Sequence, residues 1–218
     1  MHVADVDAPA PSRRRAAGQD PAKRAQILEG AKRCFLQMGF EAASMNEITA
    51  ESGVSKGTLY VYFKDKSDLF SALVDAEKSA IMGQAQRELE RPGTIAERLH
   101  RFGTTLIASL NSDYVIRAQR MVLAVTDRMP ELAQRFYGSQ TLAGNVILRD
   151  WLVARAAEGH LRIADPALAA QQFLELCGAS IYKQRLFGNI DVPTAEHIDR
   201  VVAAAVDIFL GYYAVGDR

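Results

Sequence analysis

The stretch from Ser44 to Lys66 brings hydroxyl, aromatic and basic side chains together at spacings that suit contact with a polyanion. If residues 56–63 form a helix, Leu59 and Phe63 lie four residues apart on one face, which we expect to turn inward. Tyrosine hydroxyls can reach phosphate oxygens, and a threonine can contact a phosphate, a base edge or a thymine methyl group. The outward and flanking positions of this helix are Gly57, Thr58, Tyr60, Val61 and Tyr62.

A second short helix is predicted just before this one, and a tight turn separates the two. Ser44 and Glu47 match a capping box at its start, and Gly53 follows its end. Two short helices around such a turn are typical of a helix-turn-helix, whose second helix can lie in the major groove of DNA. Lysines and helix N-termini both favour phosphate. We therefore predict DNA contacts from Ser44, Lys56, Gly57, Thr58, Tyr60, Val61, Tyr62, Lys64 and Lys66.

The distribution of charge supports a nucleic-acid partner, although the whole chain has a formal net charge of zero. Residues 12–66 contain ten Lys or Arg against six Asp or Glu, and the remainder is net acidic. This asymmetry is expected when one end of a protein meets phosphates. Residues 1–19 are expected to form a disordered arm. Its Arg13, Arg14 and Arg15 could contact phosphates or a minor groove, or could be a solvated tail.

Capping residues, prolines and glycines divide the rest of the chain into helices, and no segment shows the alternation of a strand. The predicted helices span about 20–39, 44–53, 56–63, 66–89, 94–110, 113–127, 130–157, 165–187 and 193–213.

We therefore predict an all-α fold with three parts. Residues 1–19 are the arm, and residues 20–75 form a three-helix DNA-binding domain with the helix-turn-helix. Residues 76–218 form a larger helical domain for ligand binding and dimerisation. The boundary is expected within or just after the fourth helix, near residue 75.

The larger domain is expected to hold a ligand pocket, because such sites are concave, mostly apolar and carry a few polar groups. For any single apolar candidate plain core is the more common outcome, and each polar candidate could be exposed to solvent. The apolar candidates are Phe102, Leu106, Met121, Val125, Phe136, Trp151, Phe173, Cys177 and Tyr182, and the polar ones are Gln119, Asn145 and Gln172.

The last predicted helix is apolar nearly all round, so it must be covered on several sides. In a homodimer one face packs inward and the other packs on the partner, and we expect Ala205 and Phe209 at that seam. Burial wholly within one subunit is the alternative. Gly178 and Ala179, in the helix before it, would permit close helix approach.

Other function classes find little support in the sequence. Cys34 and Cys177 are expected to be buried, reduced thiols, and neither has ligands at metal-binding spacing. A glycine-rich phosphate loop, a nucleophile elbow and paired catalytic carboxylates are missing, so we expect no enzyme, cofactor or metal. The lack of a long apolar run and of a signal-peptide core predicts no membrane association and a cytoplasmic protein. A scaffold with a vestigial DNA domain remains an alternative, which a DNA shift assay would distinguish.

One stretch resembles a known family specifically. The run from Gly53 to Phe63 followed by residues 64–66, together with Gly39-Phe40, is similar to the signature of the TetR family. The resemblance covers about residues 22–73. It implies a three-helix DNA-binding domain, a helical ligand domain and a homodimer on a palindromic operator of double-stranded DNA. Relatives often have a large polar or aromatic residue where this chain has Val61, so apolar contact is expected there.

Segments at 121–124, 129–132 and 165–170 resemble the C-terminal domain of the AefR-like branch of that family. The resemblance implies a transcriptional regulator that responds to a small-molecule effector. Repression is expected because no activating segment is recognisable. The proposed lining predicts an uncharged apolar or aromatic ligand.

Overall fold

A computed structural model describes residues 18–215, including the side chains of all of these except residues 135 and 138–143. The fold in this range is all-α, as predicted. The arm at residues 1–17, with Arg13 to Arg15, lies outside the described residues. The helices are α1 Pro21–Ala42, α2 Met45–Ser52, α3 Lys56–Tyr62, α4 Lys66–Glu90, α5 Ile95–Leu110, α6 Asp113–Val125, α7 Pro130–Ala157, α8 Pro166–Cys177, α9 Tyr182–Leu186 and α10 Ala195–Tyr213.

The helix-turn-helix forms because local capping sets its boundaries. Ser44 and Glu47 make the reciprocal bonds of a capping box at the start of α2. Gly53 ends α2 with a φ of 64°, a left-handed conformation that glycine adopts without steric cost. The side chain of Ser55 then accepts from the Thr58 backbone N–H and caps α3.

Helices α1 and α2 approach each other closely at Gly30. A Cβ atom at this position would lie 2.5 Å from Cβ and 2.6 Å from Cα of Ser52, so only glycine fits there. Two side chains of α1 also stabilise this contact between α1 and α2. Gln26 donates to the Ser52 carbonyl over 2.7 Å, and Arg33 forms an ion pair with Glu51.

Helix α4 belongs to both halves of the molecule. Its first turns bury Leu69, Leu73 and Val74 in the hydrophobic cluster of α1–α3, and Met82 and Leu89 lie in the cluster of the larger domain. The first cluster also includes buried residues of α6 and α7, so the DNA-binding head, which we define as residues 20–75, packs against more than α4 alone.

The helix predicted at 165–187 is two helices in the structure. Helix α8 ends at Gly178, and Ser180 adopts a φ of 58°, which breaks the helical path. Helix α9 is held in its new direction by α6. Arg185 forms an ion pair with Asp113, and Arg120 donates to the carbonyls of Arg185 and Leu186. The apolar pattern continues through the turn and predicts one helix, but these long-range contacts stabilise two.

Helix α10 buries one face within its own chain and exposes the other. Ala205 and Phe209, predicted at a dimer seam, are buried in the core of this subunit. Their positions fit the alternative in which the helix is covered by its own domain, because α5 and α8 pack on that side. The opposite face presents Ile208, 59% exposed, and Tyr212, 73% exposed. None of the helices within residues 18–215 is long and apolar enough to cross a bilayer.

The close approach at Gly30 yields a stability prediction. Gly30→Ala should lower the free energy of unfolding by about 1–3 kcal/mol, because the added methyl group must displace the backbone of Ser52. Gly83→Ala is the matched control, since its Cβ would meet only Arg87 Nη1, at 3.6 Å, within helix α4. It should stabilise the protein by about 0.5–1 kcal/mol, because alanine restricts the unfolded chain. Urea unfolding distinguishes the two, and equal midpoints would contradict the packing argument.

Candidate nucleic-acid interface and cavity

Helix α3 presents an outward surface built from most of the predicted DNA-contacting residues. Leu59 and the adjoining Phe63 are buried and anchor the helix. On the other side, Tyr60 is 47% exposed and Val61 is 53% exposed. Lys56, Gly57 and Lys64 are exposed as well, and Thr58 is half-buried.

Two predicted contact residues also stabilise local structure. Ser44 is exposed, and its hydroxyl accepts from the Glu47 backbone N–H over 3.3 Å. The Thr58 hydroxyl lies 2.8 Å from the Ser55 hydroxyl. Both groups retain hydrogen-bonding capacity for phosphate, since a hydroxyl oxygen has two lone pairs and one proton.

The beginning of the described chain lies beside the same surface. The Tyr62 hydroxyl accepts from the Asp20 backbone N–H over 3.1 Å and lies 3.3 Å from the Asp20 carbonyl. A Cβ on Gly18 would lie 3.2 Å from Cγ1 of Val61. Tyr62 therefore fixes the start of α1 against α3, and this role competes with the phosphate contact predicted for its hydroxyl.

Lys66 is engaged within the DNA-binding head. Its ammonium donates to the carbonyls of Glu41, over 3.0 Å, and Ala43, over 2.8 Å, and lies 4.7 Å from the centre of the Phe40 ring. Burial lowers the pKa of Lys66. Its ammonium satisfies carbonyls that the end of α1 leaves unpaired. No signal in the sequence points to this role, because the residues involved come from the end of a different helix.

A cavity of about 800 Å³ lies between helices α4 to α9. Five residues predicted for ligand binding line it: Leu106, Phe136 and Tyr182 supply apolar surface, and Gln119 and Asn145 supply amide groups. Its size is within the range of sites for small molecules, and its wall is mainly apolar.

The other predicted ligand-binding residues do not line this cavity. Phe102, Phe173 and Cys177 are buried in the main core, where Gly103 and α10 pack on them. Met121 and Val125 face the cluster shared with the DNA-binding head.

Two more predicted residues are held by specific contacts elsewhere. The Trp151 ring lies between Arg98 and Arg155, at 5.1 and 5.4 Å from their guanidinium carbons. Gln172 accepts a hydrogen bond from the Tyr213 hydroxyl. These interactions place both residues outside the cavity wall.

Several cavity residues were missed because their types do not mark a pocket in sequence. Asn111 and Tyr114 stand beside the turn between α5 and α6, and Glu77 and Lys78 stand on α4. Each lies at a position that a helical pattern assigns to a polar or boundary face. These positions become cavity wall only in the tertiary fold, where residues of α4 and α6 line the same cavity.

Four charged side chains line the cavity, and one of them, Lys78, is half-buried. Glu175 and Lys183 are exposed. Glu77 forms an ion pair with Lys32 of α1, at 2.8 Å. Burial raises the pKa of Tyr182, so its hydroxyl is neutral at neutral pH. Among the described residues, no group of His, Cys, Asp or Glu side chains could hold a metal ion.

Comparison with known families identifies two matching regions. Residues 27–73 match the model for bacterial regulatory proteins of the tetR family. Residues 97–215 match the model for the C-terminal domain of AefR-like transcriptional repressors. The first match lies within the DNA-binding head, and the second lies within the larger helical domain.

Individual relatives agree with these matches. The transcriptional repressor AcnR of Corynebacterium glutamicum is 40% identical over 74 residues, which are 34% of this chain and 39% of that protein. The chain thus spans well under half the length of this curated relative. These families and relatives are transcriptional regulators, not enzymes, in agreement with the sequence-based expectation.

Two solved structures cover nearly the whole chain. The flavonoid-responsive regulator FrrA is 30% identical with a TM-score of 0.74, over 91% of this chain and all 100% of that one. A Mesorhizobium loti protein assigned to the TetR family is 25% identical with a TM-score of 0.81, over 89% of this chain and 98% of that one.

The contacts of Lys66 generate a prediction that separates stability from DNA binding. Lys66→Ala should lower the free energy of unfolding by about 1–3 kcal/mol, because two charge-assisted bonds to backbone carbonyls are lost. Lys64→Ala, two residues away and exposed, should change it by less than about 0.5 kcal/mol. Urea unfolding measures both. A Lys66→Ala variant with wild-type stability but weaker DNA binding would show that this ammonium serves DNA instead.

Proposed function

Because the chain belongs to the TetR family of bacterial regulatory proteins, we propose that it is a dimeric repressor released from a palindromic operator by a small molecule. The molecule binds in the cavity between α4 and α9 and is uncharged and apolar or aromatic. The observation that carries this proposal is that the DNA-binding head contacts the wall of the cavity directly.

That contact centres on Lys32 of α1. Its ammonium lies 2.8 Å from Glu77 Oε1 of α4 and 4.2 Å from the centre of the Tyr114 ring of α6. Glu77 and Tyr114 both line the cavity. A ligand that shifts α4 or α6 therefore changes the support on which α1, and with it the head, rests.

Release follows from the geometry of a dimer on DNA. Two recognition helices reach successive major grooves only when they are about 34 Å apart. A ligand that binds better to a differently spaced dimer weakens operator binding, and the operator weakens ligand binding by the same factor. A coupling of about 1–3 kcal/mol corresponds to a 5–150-fold loss of operator affinity.

One structural relative supports the aromatic character of the ligand. The structural relative with 30% identity responds to flavonoids, which are polycyclic aromatic molecules. The cavity of this chain is lined by Phe136, Tyr114, Tyr137 and Tyr182, so aromatic surface is available to such a molecule.

The DNA-binding part of the proposal depends on α3. Thr58 and Val61 are assigned to base edges, and Lys56 and Tyr60 are assigned to phosphates. Lys56, Tyr60 and Val61 are exposed on the outward surface of α3, and the half-buried Thr58 lies beside them. The operator is first obtained by selecting bound sequences from random DNA, and each variant is then measured on that DNA by fluorescence anisotropy.

Lys56→Ala and Tyr60→Phe should each weaken binding to every sequence tested, because phosphate contacts carry no sequence information. Lys56→Ala should also flatten the salt dependence by about one unit of slope per subunit. Lys183→Ala is the control, since it removes an exposed lysine of α9, far from α3 in sequence. Unchanged affinity in both α3 variants would rule out this docking of the helix.

The exposed face of α10 is assigned to the dimer, since its apolar residues follow helical spacing. Ala204, Ile208 and Tyr212 recur every four residues and are exposed. An isologous contact between two copies would bury this stripe against itself.

Ile208→Asp with Tyr212→Glu should weaken the dimer at least about tenfold, because carboxylates would be buried without partners. Val192→Asp, an exposed substitution outside the helices, is the control and should leave the dimer intact. Phe209→Arg should instead unfold the subunit, because Phe209 belongs to its core. Light scattering at micromolar concentration measures the oligomeric state. A monomeric wild-type protein would contradict the assignment of this face to the dimer.

A further inference from the structure

We propose that the segment before α1 is a second DNA-contacting element, in which the run Arg13-Arg14-Arg15 binds the phosphates that border the major groove occupied by α3. This inference rests on the proposed function, since it extends the same DNA interface. The chain enters the DNA-binding head beside α3, and the head itself offers little positive charge to DNA.

The entry of the chain lies against the outward surface of α3. Gly18 adopts a φ of 87°, and a Cβ atom on it would lie 3.2 Å from Cγ1 and 3.4 Å from the carbonyl oxygen of Val61. Two residues later, the Asp20 backbone N–H donates to the Tyr62 hydroxyl over 3.1 Å. Val61 is assigned to a base edge in the proposed docking. The chain before Gly18 therefore starts at the surface that faces DNA.

The arginine run is close enough to this point in sequence to reach the DNA backbone. An extended chain spans at most about 3.6 Å per residue, so the Cα atom of Arg15 can be no farther than about 11 Å from that of Gly18, and that of Arg13 no farther than about 18 Å. The major groove of B-DNA is about 12 Å wide, so the phosphates along its edges are on the order of 6 Å from its centre. A guanidinium group, with five N–H donors, matches the geometry of their oxygens.

The head by itself carries more acidic than basic side chains. Residues 20–75 contain seven Lys or Arg against eight Asp or Glu. A negative formal charge opposes approach to a polyanion, and the sequence-independent affinity for DNA comes from Lys and Arg that neutralise phosphates. The basic excess over residues 12–66 therefore depends on the arginine run.

Three of the seven basic side chains of the head are held by the protein itself. Lys32 pairs with Glu77 at 2.8 Å, and Arg33 forms an ion pair with Glu51. Lys66 donates to two backbone carbonyls. At most four basic side chains of each head are thus left for phosphates, and the arginine run raises this number to seven. The four are Lys23, Arg24, Lys56 and Lys64.

The alternative is that the arginine run is a solvated tail. Asp5 and Asp7 belong to the same arm, but both are at least six residues before Arg13, so no acidic residue adjoins the three positive charges in sequence. Removing the charges of a solvated tail would leave the affinity for DNA and its salt dependence unchanged. Loss of three phosphate contacts would change both.

The test compares wild-type protein with the full-length triple variant Arg13→Ala, Arg14→Ala and Arg15→Ala on the selected DNA. Fluorescence anisotropy over a range of salt concentrations should show an affinity at least about tenfold lower and a salt dependence flatter by about three units of slope per subunit. A repeated selection should return the same preferred sequence, because phosphate contacts carry no sequence information. Unchanged affinity and slope would overturn the proposal and identify a solvated tail.

A second triple variant controls for the change in net charge. Arg87→Ala, Arg162→Ala and Lys183→Ala together remove three exposed positive charges from the larger domain. The slope should change by less than about one unit per subunit, because charges beyond a Debye length of about 8 Å from DNA are screened. Light scattering verifies that both triple variants keep the oligomeric state of the wild type. Equal flattening in the two variants would overturn the proposal, since net charge alone would explain it.

Tyr62 supplies a test of how the arm is positioned. Tyr62→Phe removes the hydroxyl that holds the Asp20 backbone, so it should weaken DNA binding about threefold in the wild-type background. In the background of the arginine triple variant the same substitution should have a clearly smaller effect, because the held segment then carries no arginine. Equal losses in the two backgrounds would overturn this positioning role and indicate that the Tyr62 hydroxyl binds phosphate directly.

The same measurements separate this inference from the proposed function. If Lys56→Ala and Tyr60→Phe weaken DNA binding and the arginine triple variant does not, the docking of α3 stands and the proposal for the arm fails. If only the arginine triple variant weakens binding, the arm stands and the docking of α3 fails. A wild-type protein that selects no DNA would overturn both.

Discussion

The packing of three phenylalanine rings fixes the geometry on which the rest of the protein depends. Phe35 and Phe40 of α1 meet Phe70 of α4 edge-on, with ring centres 5.3 and 5.1 Å apart. Close-packed aromatic contacts of this kind resist sliding, because each ring fills a space shaped by the others. The rings therefore hold α1 of the head against the first turns of α4.

The middle of α4 lines the cavity through Glu77, Lys78 and Ile81, so one helix contributes both to the core of the head and to the cavity wall. A second connection runs parallel to it through Lys32, whose partners Glu77 and Tyr114 belong to two different helices of the cavity wall. Two connections on different helices constrain rotation as well as translation of the head. Under the proposed function, a ligand that changes the angle between α4 and α6 would change the direction of α3.

The cavity combines a broad apolar wall with a few polar and charged side chains. An apolar wall alone would accept many hydrophobic molecules of suitable size, since hydrophobic contact is not directional. Polar groups in such a wall add a penalty for every molecule that leaves them unpaired, and such penalties discriminate more strongly than additional apolar contact.

Local signals in the sequence determined the all-α fold, the helix starts at Ser44, Ser55, Asp65 and Thr94, and the outward surface of α3. These features depend on neighbours within a few residues, namely caps, turn glycines and helical periodicity, which a sequence displays directly. Tertiary structure decided which apolar faces became core, cavity or exposed stripe. A helical pattern shows that Gln119 and Met121 lie on different faces, but only the positions of α1, α4 and α7 decide that Gln119 meets a cavity and Met121 meets the head. The break between α8 and α9 and the inward role of Lys66 were likewise set by residues distant in sequence, because backbone carbonyls and ion pairs from other helices supplied the deciding energy.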